Sequence, residues 1–176
     1  PNTPCAKLSN IINKQDIINK KNELQNQSKI VDGENEKGFA MSDDGNSSDV
    51  INGGSHFVDF PINYFSLYNG GYHNHTIDGT KIFSPPDINI LINFANMQPN
   101  HNVGNGFFGM IAQEGNTVFD YIITFTGTKS EAEALYNKDW DYDGLKEWQK
   151  GKAFELFKIL INEKFVNTVL NCGKNH

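Results

Sequence analysis

Cys5, Leu8, Ile11, Ile12 and Ile18 recur at helical spacing with Lys and Asn between them, which predicts an amphipathic first helix. The Asn-, Gln- and Lys-rich stretch that follows, through Ser28, has little to bury and reads as exposed helix or linker. The pattern then changes. Lys37–Met41 is a short apolar segment placed just after two carboxylates and closed by the turn residues Asp43-Asp44-Gly45-Asn46, so a strand is expected there. Val50 to Gly54 reads as a turn. His56, Val58 and Phe60 then alternate with Phe57 and Asp59 as a strand would. A further strand is expected from Tyr64 to Tyr72, running directly into His73 and interrupted by Gly70-Gly71, which reads as a close backbone approach, a bulge or a strand-end turn.

Ser84-Pro85-Pro86-Asp87 opens a helix whose Ile88, Leu91, Ile92 and Ala95 share one face, with proline tolerated in the first turn. After a loop from Gln98 to Asn105, Phe107–Ala112 and Val118–Phe125 flank Glu114-Gly115-Asn116 as a β-hairpin. Phe154, Phe157, Ile161 and Phe165 mark a C-terminal helix, preceded by the aromatic acidic stretch Trp140-Asp141-Tyr142-Asp143, whose rings are expected to pack against helix. The order helix, three strands, helix, two strands, helix predicts an α/β fold with a mixed, mainly antiparallel sheet flanked by helices. The length of 176 residues suits one core, read as residues 31–176, with residues 1–30 forming an N-terminal helix and linker.

Charge narrows the function classes. A formal net charge of -6 argues against a grip on nucleic acid, where Lys and Arg must neutralise phosphate. No apolar run approaches the roughly 20 residues that cross a bilayer, so a soluble protein is expected. Cys5 and Cys172 are too far apart for a metal-binding knuckle; they read either as a disulfide closing nearly the whole chain or as two free thiols. The chain starts at Pro1 without a signal segment, and a processed piece of a longer protein is expected.

The candidate chemistry lies in His73-Asn74-His75 and Asp87. Residues two apart on a strand project to one face, so both imidazoles can reach one ion while Asn74 points away. A helix start delivered soon afterwards can bring the Asp87 carboxylate beside them. Three N/O ligands with a fourth position open is the pattern of a catalytic zinc site. Each part also has a structural reading: Ser84 and Asp87 fit a helix capping box, and an isolated His-x-His pair also occurs on exposed strands. His56, His101 and His176 receive no role.

These residues resemble the JAB/MPN (JAMM) metallopeptidases, whose motif is an upstream Glu, a His-x-His strand end and a Ser-x-x-Asp at the next helix start. The resemblance covers roughly Glu36 to Phe125. It implies zinc held by His73, His75 and Asp87, Glu36 as general acid/base with Glu34 as a competitor, and Ser84 helping to hold the oxyanion. The implied reaction is hydrolysis of a peptide or isopeptide bond in a peptide or protein substrate. Gly70-Gly71 would let a substrate strand approach the sheet. The chain departs from the motif in three places: Thr76 stands where Pro is usual, Asn74 replaces a small hydroxyl residue, and Asp87 falls one position late.

The Tyr-x-Gly-Gly-x-His-x-His approach also looks like C-terminal domains of large secreted bacterial repeat proteins, some of them toxin-like, which implies a secreted or cell-surface effector end. Two other readings stay open at this point. One is a catalytically silent MPN-like module that binds a partner protein, and the other is a zinc enzyme acting on a different bond. A deaminase usually needs a paired-Cys motif that Cys5 and Cys172 do not supply.

Overall fold

The computed structural model describes residues 11–30, 35–99, 102–138 and 143–144. Its elements are α1 (Gln15–Gln27), β1 (Lys37–Met41), β2 (Ile51–Asn52), α2 (Tyr64–Leu67), β3 (Gly70–Asn74), α3 (Pro85–Met97), β4 (Phe107–Glu114), β5 (Thr117–Thr124) and α4 (Lys129–Tyr136). The strands form one sheet in the order β2-β1-β3-β4-β5. Only β3 and β4 run parallel, and α3 is the crossover between them; the other neighbours are antiparallel. The fold is therefore α/β with a mixed, mainly antiparallel sheet, as the element order predicts. No helix of the described residues is long and apolar enough to cross a membrane.

Strand alternation sorts the apolar residues into two cores. Phe39, Met41, Tyr72, Phe107 and Ile111 project to one face and meet Ile17 and Leu24 of α1. Ala40, Val58, Phe60 and Phe108 project to the other and meet Leu91 and Phe94 of α3. The sheet is thus covered on both faces, which is why β3 reads Gly-Gly-Tyr-His-Asn with every residue buried. At the far end α4 docks on α3, where Lys129 Nζ bonds both the backbone oxygen and Oδ1 of Asn96.

Lys37–Met41, the helix after Ser84 and the β4–β5 hairpin stand where the periodicity puts them; Gly115 takes φ 57° in the hairpin turn. Five expectations are corrected. The stretch through Ser28 is not exposed helix or linker but a helix with a buried face, made by Ile17 and Leu24 with Gln27 beside them. His56–Phe60 is a loop: Gly54 N–H bonds Phe57 O across a tight turn, and Val58 and Phe60 reach the core from irregular backbone. Tyr64–Tyr72 divides into the short helix α2 and the start of β3, and Ile51–Asn52, inside the expected turn, is the edge strand β2.

The fifth concerns Gly70 and Gly71. They lie in a strand paired on both sides, with β1 and with β4, so a substrate strand cannot join the sheet there. Their smallness serves packing instead. A Cβ at Gly70 would fall 2.3 Å from the Phe107 carbonyl oxygen, and one at Gly71 would fall 2.9 Å from the Phe39 oxygen and 3.0 Å from the Phe60 ring. The expected C-terminal helix, Trp140 and the Cys5–Cys172 pair lie outside the described residues.

Candidate metal centre

The site forms where β3 ends and α3 begins. In sheets with a βαβ crossover, the carboxyl end of a parallel strand faces the N-terminus of the following helix, and ligands gather in that crevice. His73 lies opposite Gly38 of β1 and beside Met110 of β4. His75 continues the strand one step past β3, its N–H bonded to Ile111 O at 2.8 Å. The period-2 expectation holds: His73 and His75 face the α3 side together, their rings 4.7 Å apart.

Asp87 arrives from α3. Ser84 is the residue preceding the helix, followed by prolines at its first positions, whose missing N–H groups are no loss there. The Ser84 backbone N–H donates to Asp87 Oδ2 at 2.6 Å, and its hydroxyl donates to the same oxygen at 2.8 Å. The carboxylate is therefore fixed by its own helix start before it meets the imidazoles. Asp87 Oδ2 lies 3.2 Å from His75 Nε2, and Asp87 Oδ1 lies 3.0 Å from His73 Nε2. One ligand atom from each of the three residues falls within 4.8 Å of the other two, and all three residues are buried.

The far sides of the rings decide what the near sides can do. His73 Nδ1 lies 3.1 Å from Gly109 O, and His75 Nδ1 lies 2.6 Å from Thr80 O. A carbonyl oxygen only accepts, so each Nδ1 carries the proton and each neutral ring presents Nε2 as a bare lone pair. Two lone pairs and a carboxylate then face one another in a buried space, an arrangement that calls for a cation among them: protons or a metal ion. His73 Nε2 is fully buried, and among the described residues its one close polar neighbour is an acceptor, Asp87 Oδ1 at 3.0 Å, which a bare lone pair cannot bond without a cation between them. The donor set, the tautomers and the orphaned nitrogen fit a metal ion, and His73, His75 and Asp87 can hold one.

Electrostatics follow the same geometry. Burial pushes the Asp87 carboxyl upward, but His73 and His75 outweigh it and hold it well below the usual carboxylate range. For His75, burial alone favours the neutral ring; the hydrogen bond and charge of Asp87 reverse the sign and raise it. Glu36 behaves differently. Burial raises it to about 7 against the pull of the two imidazoles, with Asp87 adding to the rise. It lies just before β1, its N–H bonded to Gly54 O and its O bonded to the Gly53 N–H, on the same sheet face as Gly38 and the histidines. Glu36 does not belong to the three-residue ligand group.

The structure thus brings together all five residues singled out from sequence: His73, His75 and Asp87 at the centre, Ser84 behind Asp87, and Glu36 buried on the same sheet face. Glu34, His101 and His176 lie outside the described residues, and His56 is exposed. Sequence reasoning missed the groups that set the rings. The carbonyls of Gly109 and Thr80 leave no signature in side-chain types, nor does Phe108, whose ring stacks on His73 at 4.8 Å. Compared with protein-family models, with curated proteins and with solved structures, the chain finds no match.

Proposed function

We propose that this chain is a zinc-dependent hydrolase of JAB/MPN type, cleaving a peptide or isopeptide bond in a protein substrate. The observation that carries the reading is the convergence of two imidazole Nε2 atoms, each with its proton placed on the opposite nitrogen, and one helix-anchored carboxylate within 4.8 Å. Two nitrogens and one carboxylate oxygen leave a coordination position open, the arrangement of catalytic rather than structural zinc. When bound, zinc supplies Lewis acidity at this point, making water acidic enough to deprotonate near pH ~7 and polarising an acyl oxygen.

The chain's own groups supply the rest. Glu36, raised to about 7, sits at the proton affinity a general base needs at neutral pH: it can take a proton from water and return it to the leaving nitrogen. Ser84 holds Asp87 in place through two hydrogen bonds. In the resemblance this serine also steadies the oxyanion. Here its hydroxyl proton is directed at Asp87, and that observation favours a second reading, a module that holds metal and binds a partner without turning substrate over.

Metal analysis of the purified chain separates these readings. The proposal expects one zinc per chain, none in His75→Ala, and a peptidase or isopeptidase activity abolished by chelator and restored by zinc. Stoichiometric zinc without hydrolysis across a panel of peptide and isopeptide substrates selects the silent module. A wild-type chain with no more zinc than His75→Ala overturns both.

A further inference from the structure

Residues 76–83 connect His75 to Ser84, and this loop is turned inward onto one side chain. The Lys81 ammonium donates to Ile77 O at 2.6 Å, to Gly79 O at 2.8 Å and to Thr76 O at 3.4 Å. A lysine has three N–H donors, so all of them are spent on backbone carbonyls of its own loop. Carbonyl dipoles gathered at one focus repel one another unless positive charge sits there, and here the ammonium supplies it. Within the same loop the Gly79 N–H bonds Thr76 O at 2.9 Å. Thr80, between Gly79 and Lys81, carries the carbonyl that receives the His75 Nδ1 proton at 2.6 Å.

We propose that Lys81 is a positioning residue for the metal centre: by gathering the carbonyls of Thr76, Ile77 and Gly79 it holds the Thr80 carbonyl against His75 and so keeps the Nε2 lone pair aimed at Asp87. The proposal rests on the metal-centre reading above. Its sign is distinctive. A lysine near a cation site opposes metal binding by simple repulsion, so removing its charge should tighten the metal. A lysine that shapes the loop acts the other way, and removing it weakens the metal. Groups that orient a metal-binding histidine through its second nitrogen typically change affinity 10- to 100-fold.

The test uses the full chain and Co²⁺, whose visible absorption reports ligation. Lys81→Met is expected to bind Co²⁺ on the order of ten-fold more weakly than wild type. Added ammonium chloride should recover part of the loss, where tetramethylammonium chloride at equal ionic strength does not. Lys81→Gln, which keeps two N–H donors without the charge, should bind with intermediate affinity and serves if Lys81→Met fails to fold. A second arm needs no metal: ¹⁵N NMR of His75 in chelator-treated protein, with the ring neutral, should show Nε2 unprotonated in wild type and a tautomer mixture in the variants.

Equal or tighter Co²⁺ binding by folded Lys81→Met or Lys81→Gln, with the His75 tautomer unchanged, overturns the proposal. A wild-type chain that binds no Co²⁺ overturns the metal reading instead. In that case the tautomer arm alone decides whether Lys81 positions His75.

Discussion

Asn74 Oδ1 accepts the backbone N–H of Lys37 at 2.8 Å, so the side chain between the two histidines also holds the residue next to Glu36. The β1–β3 ladder has its last pair at Gly38 and His73. One step further, the Asn74 amide takes the place of a backbone acceptor and extends the pairing towards the site. Strand alternation then divides the labour: His73 and His75 face the metal centre, and Asn74 ties down the strand that brings Glu36 to it.

Asn74→Ala should therefore act on Glu36 more than on the metal. It leaves the part-buried Lys37 N–H without its acceptor, a loss of about 1 kcal/mol. Denaturant melts should show that loss, Co²⁺ affinity should stay within about two-fold of wild type, and turnover should fall. A variant as stable as wild type would mean that the Asn74–Lys37 bond does not hold β1.

On the proposed function, Glu36 links turnover to stability. Its carboxyl is raised from 4.5 to about 7 by burial, so in chelator-treated protein the folded state binds this proton more tightly than the unfolded chain does. Stability is then undiminished below about pH 4.5, falls as pH rises through the window up to about 7, and levels off above it, with a total cost of order 3 kcal/mol. Glu36→Gln removes the ionisation. The variant should be more stable than wild type at pH 8, little changed at pH 4, still able to take up zinc, and inactive. Parallel stability–pH curves for the two proteins would refute the assignment of Glu36 as a buried, poised carboxylate.

Ser84 and Asp87 share a bond but not a role. Asp87→Asn removes the charge that faces both imidazoles and should abolish metal uptake while the helix start persists. Ser84→Ala keeps the carboxylate and its bond from the Ser84 backbone N–H, losing only the hydroxyl contact. It should cost about 1 kcal/mol and weaken metal several-fold without abolishing it. If Ser84→Ala loses the metal as completely as Asp87→Asn, the hydroxyl is doing more than orienting the carboxylate.

The parts of the site legible in the sequence were those encoded by side-chain type and period. His73 and His75 two apart on a strand, and Asp87 three residues after Ser84 at a proline-opened helix, are local patterns that survive folding. Long-range pairing made the rest illegible. Gly70-Gly71 reads equally as a close backbone approach, a bulge or a strand-end turn until β1 and β4 are placed on either side of it, and Val58 and Phe60 imitate a strand because two loop residues happen to drop into the same core. Helix α4 has little apolar periodicity, and its signature is a capping box instead: the Glu131 carboxylate bonds both the Thr128 N–H at 2.7 Å and its hydroxyl at 3.0 Å. The stretch through Ser28, which reads as exposed helix or linker, is a helix whose buried face has too few apolar residues to stand out in the sequence. Two apolar residues one helical face apart suffice when the sheet beneath offers Phe39 and Tyr72.

That last point is testable. Leu24 is fully buried in α1, on the sheet face opposite the metal centre. If α1 is an integral layer, Leu24→Ala leaves a cavity against Phe39 and Tyr72 and costs about 2–5 kcal/mol. The exposed Ile62, at 79% relative accessibility, is the internal control: Ile62→Ala should shift stability by no more than about 0.5 kcal/mol. Because the lost contacts lie across the sheet from His73, His75 and Asp87, Leu24→Ala should still bind Co²⁺ with wild-type affinity at temperatures where it is folded. A Leu24→Ala protein that melts with wild type would show that α1 does not pack on the sheet, and one that is folded but loses Co²⁺ would show that the two faces are coupled through β3.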